Sequence, residues 1–322
     1  MLNTPILFLV FNRLATTKQV FARIKELKPK QFFIAADGAR ATKIGEQEKV
    51  EEVRKFILDN IDWDCEIKTL FRENNLGCGR AVYEGISWFF KYVEQGIIVE
   101  DDCLPEKSFF FFCERMLEKY KSNSQILMIT GTNYLFGVQK DNIDYYYSDL
   151  CAIWGWATWK RAWSLSNDKL QNIDENQILK KYKNKHFCRG IYNMIQHTIE
   201  KKLDTWDSLW LYTFVVHNGL AITPIKNQIK NLGYNGAHAH NDVSPFINMP
   251  TEAITNIEYL KSPHKIIPDH YLDKLAINNI IKGDKLKISF YQKTRIFLSN
   301  QKQKMKRYVL EFTKKNQKKT IQ

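Results

Sequence analysis

The first hundred residues alternate between strand-like and helix-like segments. Strand-like segments at 5–11, 32–36 and 65–71 each precede a stretch that carries apolar residues at helical spacing, and a fourth strand-like run follows at 96–99. Strands that are joined through helices have to cross over, which makes them parallel with right-handed crossovers. The continuous apolar runs are typical of strands that are buried on both faces. The sequence therefore predicts an α/β fold with a doubly wound, mostly parallel sheet.

Polar residues follow each of the four predicted strands. They are Asn12-Arg13, Asp37-Gly38, the segment 72–75 and the triplet Glu100-Asp101-Asp102. Ligands of such sheets bind at the carboxyl ends of the strands. Neither the G-x-G-x-x-G fingerprint nor a P-loop motif occurs, so a nucleotide site would rely on side chains and a metal.

The three consecutive carboxylates are the strongest site signal. Like charges repel one another and raise a pKa unless a cation offsets them. Mg²⁺ and Mn²⁺ prefer carboxylate oxygens and can also bridge phosphate oxygens. We therefore expect Glu100, Asp101 and Asp102 to mark a metal and phosphate site. The alternative is an ordinary acidic loop or helix start, since the next helix is expected to begin at 104–106.

An ordered series of motifs resembles glycosyltransferases of the GT-A fold, in particular the branch with N-acetylglucosaminyltransferase I and bacterial glycan-assembly enzymes. The resemblance covers roughly residues 4 to 245. Its motifs are Asn12-Arg13, Ala36-Asp37-Gly38, Glu100-Asp101-Asp102, the Phe-rich stretch 109–112, Trp154-Gly155-Trp156 and the segment 205–210. It implies a GT-A-like nucleotide-sugar half at 1–130, an acceptor-side α+β extension of the same domain at 131–245, and a connector with a basic C-terminal helical tail at 246–322.

The resemblance also implies roles for the donor site. Asn12 and Arg13 belong to the nucleotide-binding set, and Arg13 with Asp37 recognises the base. Glu100 and Asp101 hold the ribose and the donor sugar, while Asp102 is the ligand of Mn²⁺ or Mg²⁺ on the diphosphate of a nucleotide-sugar donor, a UDP-sugar. The alternative for Arg13 and Asp37 is a surface ion pair or a turn.

Three further residues are assigned around this donor site. Arg80 begins a helix after a glycine-containing turn and can reach the diphosphate, although an exposed helix arginine explains it equally well. His240, or His238, lies in a polar, glycine-rich segment that is typical of a lid. Either histidine can supply a further metal ligand, and the alternative is a histidine without a metal.

The acceptor side is expected to contain the catalytic base. Inverting sugar transfer needs a carboxylate beside the acceptor hydroxyl, and the resemblance places this role on Asp207. Asp204 competes for it, and Asp207 could instead cap the following helix. Trp154 and Trp156 are candidates for a wall against which a sugar stacks. Core packing is the alternative for each tryptophan.

Charge is concentrated at the end of the chain. Residues 281–322 contain thirteen Lys or Arg and two acids, against a net charge of +13 for the whole protein. The nearly neutral remainder argues against nucleic-acid binding. Basic and aromatic residues interleave in this tail, which fits attachment to an anionic membrane surface; a solvated tail or a homodimer contact are the alternatives. No signal segment precedes the first strand, so we expect a cytoplasmic protein at the inner face of the membrane.

The sequence therefore favours a metal-dependent, inverting glycosyltransferase. It would move a sugar from a UDP-sugar to a glycan or lipid-linked acceptor in bacterial surface polysaccharide or glycoconjugate biosynthesis. One alternative is a sugar-phosphate nucleotidyltransferase, which normally has a basic, glycine-rich loop after the first strand. Another is a carbohydrate-binding, membrane-associated protein without catalytic activity.

Overall fold

The computed structural model describes residues 1–166, 170, 173–233, 246 and 249–282. Its first half alternates strands and helices in the predicted order: β1 (Ile6–Val10), α1 (Leu14–Leu27), β2 (Gln31–Ala36), α2 (Glu46–Asp59), β3 (Glu66–Phe71), α3 (Gly77–Phe89), β4 (Gln95–Glu100), β5 (Cys103–Pro105), α4 (Lys107–Tyr120) and β6 (Ile126–Thr130). The second half contains β7 (Tyr145–Ser148), β8 (Trp156–Trp159), α5 (Lys160–Trp163), α6 (Glu175–Tyr182), α7 (Lys185–Ile199), α8 (Asp207–Val216), β9 (Leu220–Pro224), β10 (Ile229–Asn231) and α9 (His270–Lys282).

Eight strands form one mixed sheet in the order β3-β2-β1-β4-β8-β6-β9-β7. The first four pair in parallel, as do β6 and β9. Strand β8 runs antiparallel to β4 and β6, and β7 runs antiparallel to β9. Six of the eight strands therefore point the same way, which confirms the predicted mostly parallel α/β sheet.

The central strand shows why the sheet is covered on both faces. Ile6, Phe8 and Val10 of β1 belong to a core that includes residues of α1, α2 and α4. Leu7 and Leu9 belong to a second core that includes residues of α3, α5 and α8. Side chains alternate between the faces of a strand, so a strand without polar positions requires helices on both sides. The sheet is doubly wound, as expected.

A third hydrophobic core builds the extension beside the sheet. It combines buried residues of α6, α7 and α9, such as Tyr182, Ile191 and Leu275, with Tyr146 of β7 and Val215 of α8. This group of helices lies next to α8, whose first residue is Asp207. The extension therefore adjoins the residue that was assigned as the catalytic base.

Two local expectations were wrong. Residues 103–105 form the short strand β5, which pairs antiparallel with β10, and helix α4 begins only at Lys107. Asp207 is the first residue inside α8, and Trp206 occupies the capping position without a side-chain cap. Asp207 therefore does not cap this helix. Among the helices in the described residues, none combines the length and the apolar character that crossing a bilayer requires.

Candidate functional site

The acidic triplet and Arg13 meet at the carboxyl edge of the sheet. Strands β1 and β4 are parallel neighbours, so the residues that follow them lie side by side. Arg13 donates a hydrogen bond to Oδ2 of Asp102 at 2.8 Å and lies 3.3 Å from Oδ1 of Asp101. The backbone N–H of Phe11 also donates to Asp101, at 3.2 Å. Among the residues that the structure describes, Arg13 thus supplies one guanidinium for three carboxylates.

That single cation leaves negative charge uncompensated in the site. Burial, together with the charges of Asp102, Asp101 and Asp207, raises the pKa of Glu100 to about 8. Burial also raises the pKa of Asp101 to about 6, although Arg13 acts against this shift. Added positive charge would stabilise the ionised forms of both groups.

Asp102 has the surroundings of a cation ligand. Its Oδ2 is bound by Arg13, while its Oδ1 has a long contact of 3.5 Å with the thiol of Cys103. The pairing of β5 with β10 brings Gly233 so close that an added Cβ would overlap the Asp102 carboxylate. The Asp102 carboxylate occupies space that is open only because residue 233 is a glycine. Its oxygens are hard donors of the kind that Mg²⁺ and Mn²⁺ prefer.

Two carboxylates hold the first turn of α3. Asp37, after β2, accepts hydrogen bonds from the N–H groups of Leu76 and Gly77 at 3.0 and 3.1 Å. Asp204, before α8, accepts from the N–H groups of Cys78 and Gly79 at 2.9 and 2.8 Å. Helix N-termini favour negative charge, which strengthens these contacts. Because Asp204 is bound to this turn, the segment that leads to Asp207 is held against the sheet edge. We call this arrangement the α3 clamp.

Asp207 lies between the triplet and a cavity. Its charge contributes to the raised pKa of Glu100, which places the two carboxylates within electrostatic reach of each other. Its Oδ1 accepts a hydrogen bond from the hydroxyl of Thr205. Its side chain also lines a cavity of about 500 Å³ that the extension forms. Asp207 therefore adjoins both the carboxylate triplet and an open pocket.

The two candidate sugar-stacking tryptophans have different surroundings. Trp156 is 1% exposed, and its ring stacks on Trp206 with centroids 5.7 Å apart. Its predicted contact with a sugar is therefore wrong, because the ring is part of the core. Trp154 is half-buried and lines the cavity beside Asp207. A wall contact by Trp154 is compatible with this position.

The remaining assigned residues stay predictions in their roles. Asn12 donates to Glu46 at 3.0 Å, and hydrogen bonds from Arg40 lower the pKa of Glu46 to about 2. Arg80 is exposed on α3 and donates to Glu84 at 2.6 Å. Arg13 binds the triplet and Asp37 binds the first turn of α3, and base recognition by these two side chains stays a prediction. His238, His240 and the tail from residue 283 onwards lie outside the described residues.

A second group with metal-type ligands lies in the extension. One ligand atom each of Asp149, His270 and Asp273 falls within 4.8 Å of the others. Lys181 donates to Asp149 at 2.9 Å, and Ser148 and the N–H of Asp149 both donate to Asp273. These donors already supply the positive charge and hydrogen bonds that a cation would give to the two carboxylates. The arrangement is therefore also explained as a buried ion-pair network.

Sequence reasoning missed the α3 clamp and the pocket. Asp204 was weighed only as a rival to Asp207, although the Gly77-x-Gly79 pattern at a helix start is a signal for close approach of an acceptor group. A cavity formed by four separate helices has no local sequence signal.

Comparisons with known proteins give fold-level similarities. No protein-family model matches the sequence, and no curated protein matches it. Among solved structures, the chain is similar to 4-diphosphocytidyl-2C-methyl-D-erythritol synthase from Anaerococcus prevotii, with 13% identity, a TM-score of 0.34 and coverage of 68% of this chain and 88% of that one.

Two further structures contain a bound nucleotide sugar. One is a mannosyltransferase from Pyrobaculum calidifontis in complex with GDP-Man and Mn²⁺, with 11% identity, a TM-score of 0.34 and coverage of 66% and 70% of the two chains. The other is a UDP-glucose pyrophosphorylase complexed with UDP-glucose, with 11% identity, a TM-score of 0.35 and coverage of 72% and 94%. Similarities at this level do not assign an activity to the chain.

Proposed function

We propose that the protein is a metal-dependent, inverting glycosyltransferase that moves a sugar from a UDP-sugar to a glycan or lipid-linked acceptor. One observation carries the proposal. Asp207 contributes to the raised pKa of Glu100 in the triplet and also borders a cavity of ligand size. A transferase needs this order of donor site, base and acceptor pocket.

The triplet would hold the donor. Asp102 would hold the cation, and Arg13, which also pairs with Asp101, fixes the side chain of Asp102. A divalent cation bound there would neutralise the charge that grows on the departing nucleoside diphosphate. Glu100 and Asp101 would accept hydrogen bonds from ribose or sugar hydroxyls.

Asp207 would take the proton from the acceptor hydroxyl. The acceptor oxygen then forms a bond to the anomeric carbon of the donor. The bond from that carbon to the phosphate oxygen breaks, and its electron pair leaves with the nucleoside diphosphate. Attack from the face opposite to the leaving group inverts the configuration.

The short connection after β1 argues against a nucleotidyltransferase. Strand β1 ends at Val10 and α1 begins at Leu14, which leaves three residues between them. The one basic residue of this connection, Arg13, is bound to the triplet. A glycine-rich loop that could surround a triphosphate has no room here. The basic residues of 281–322 support a place for the reaction at the cytoplasmic face of a membrane.

The test measures donor binding and donor hydrolysis separately. Thermal stabilisation by UDP, GDP and their common sugar derivatives is recorded with Mn²⁺, with Mg²⁺ and with EDTA. We expect a UDP-sugar to stabilise the protein only with the metal. Asp102→Asn should abolish this stabilisation, whereas Asp207→Asn should keep it and lose at least about a hundredfold in transfer, as expected for loss of a general base.

Asp59→Asn is the matched control. Asp59 is exposed at the end of α2, at the opposite edge of the sheet, and pairs with Lys55. This variant should bind and hydrolyse the donor like the wild type. Metal-independent binding of every nucleotide sugar, or no binding at all, would contradict the proposed function. Synthesis of a nucleotide sugar from a nucleoside triphosphate would favour the nucleotidyltransferase instead.

A further inference from the structure

The cavity beside Asp207 has an unusual lining for a protein that handles sugars. Its volume of about 500 Å³ lies within the range of small-molecule sites. Most of the side chains around it are apolar, among them Ile153, Phe187, Met194 and Leu211. Sugar hydroxyls need hydrogen-bond partners when they leave water. A wall of this kind suits a hydrocarbon better than a sugar ring.

The lining also contains two ionisable side chains, Asp207 and His186. The charge of Asp207 also raises the pKa of Glu100, so Asp207 lies near the triplet as well as in the lining. A ligand that fills the cavity would present one end to Asp207, with its apolar part surrounded by α7, α8 and α9.

We propose that the cavity binds the hydrocarbon chain of a lipid-linked acceptor, with the acceptor sugar hydroxyl at Asp207. This inference rests on the proposed function, because Asp207 defines which end of the ligand reacts. It narrows the acceptor from any glycan to a glycan that carries an aliphatic or isoprenoid chain.

The chain offers a well-placed position for the test. Gly190 of α7 lines the cavity, and a Cβ added there would meet no heavy atom of the described residues within 4 Å. Gly190→Trp should therefore fill the cavity without a clash in the core. Gly190→Ala is the matched control, because it adds a methyl group and removes the conformational freedom of glycine without closing the space.

The probes are methyl, n-octyl and n-decyl glucoside, each below its micelle concentration. Binding to the full chain is followed by calorimetry, which needs no donor. We expect the affinity to rise by up to about fourfold for each methylene added, the value for complete burial. Gly190→Trp should lose at least about tenfold in affinity for the long chains, and Gly190→Ala should bind like the wild type.

Donor hydrolysis separates this inference from the proposed function. In Gly190→Trp, metal-dependent binding and hydrolysis of the donor should be unchanged, while transfer to the alkyl glucosides falls. Equal affinity for all three glucosides would overturn the inference, even if the donor is hydrolysed. Loss of binding for the long-chain glucosides in Gly190→Trp would support a hydrocarbon site in the cavity. This result would stand even if the donor assays contradicted the proposed function.

Discussion

Removing the Asp204 carboxylate tests the α3 clamp. Asp204 accepts two backbone hydrogen bonds at the start of α3, at 2.9 and 2.8 Å. It is exposed, so we take the cost of Asp204→Ala from helix caps, about 1–2 kcal/mol of unfolding free energy. A Cβ at Gly79 would lie 2.7 Å from Oδ1 of Asp204. Gly79→Ala should therefore displace the same carboxylate.

The two changes should not add. Alanine in place of glycine favours a helix by up to about 1 kcal/mol, which offsets part of the lost clamp in Gly79→Ala. In the double variant the carboxylate is absent, but the backbone oxygen of Thr205 still lies 3.1 Å from the added Cβ, so Gly79→Ala costs less there without becoming stabilising. We expect Gly79→Ala to destabilise the wild type more than it destabilises Asp204→Ala, with a coupling free energy of about 1 kcal/mol.

Urea unfolding of the wild type, both single variants and the double variant measures this cycle. Additivity within about 0.5 kcal/mol would refute the clamp. Transfer by Asp204→Ala should also fall, with unchanged donor affinity, because the clamp holds the segment that ends at Asp207.

Three further outcomes follow from buried charges and close approaches. Burial raises the pKa of Asp273 to about 7, so the folded state keeps a proton that the unfolded state releases. The free energy of unfolding should therefore fall as pH rises from about 4 to 7. Asp273→Asn should remove this pH dependence in urea unfolding. Arg13→Ala leaves the buried Asp101 without its ion pair, and should lower the unfolding free energy by about 1–3 kcal/mol at pH 8, less than for a fully buried pair because the guanidinium is partly exposed. Gly233→Ala places a methyl group on the Asp102 carboxylate and should weaken Mn²⁺ affinity, followed by titration calorimetry, by about tenfold or more while the unfolding midpoint changes little.

The parallel half of the fold was predictable because β1 is apolar at every position, and β2 and β4 are apolar except at their ends. The apolar run of β1 or β4 has no polar face that could point to water, which indicates a strand buried on both faces. The polar residues that follow the run mark the edge of the sheet where ligands bind. The same local reasoning cannot separate Asp207 from Asp204. Both carboxylates lie in one short segment, and only the position of α3 decides that Asp204 becomes a helix-end partner.

Tertiary neighbours also decided the role of the tryptophans. Trp156 and Trp154 are two residues apart on either side of Gly155, yet one packs on Trp206 and the other borders a cavity. The helices of the extension had a partial signal that was overlooked. Asp174 and Gln177 form a capping box at the start of α6, a pattern that marks a helix start in sequence.

The position of β8 constrains how the protein is made. This strand comes after residue 155, yet it pairs with both β4 and β6. On the ribosome, the first four strands can assemble as they emerge. Strand β6 emerges soon afterwards, but both strands that pair with it are still missing. Strand β8 emerges about thirty residues later and β9 about ninety residues later. A nascent chain that stops near residue 130 would therefore expose an open sheet edge, and the half that carries the carboxylate triplet is not a module that folds to completion on its own.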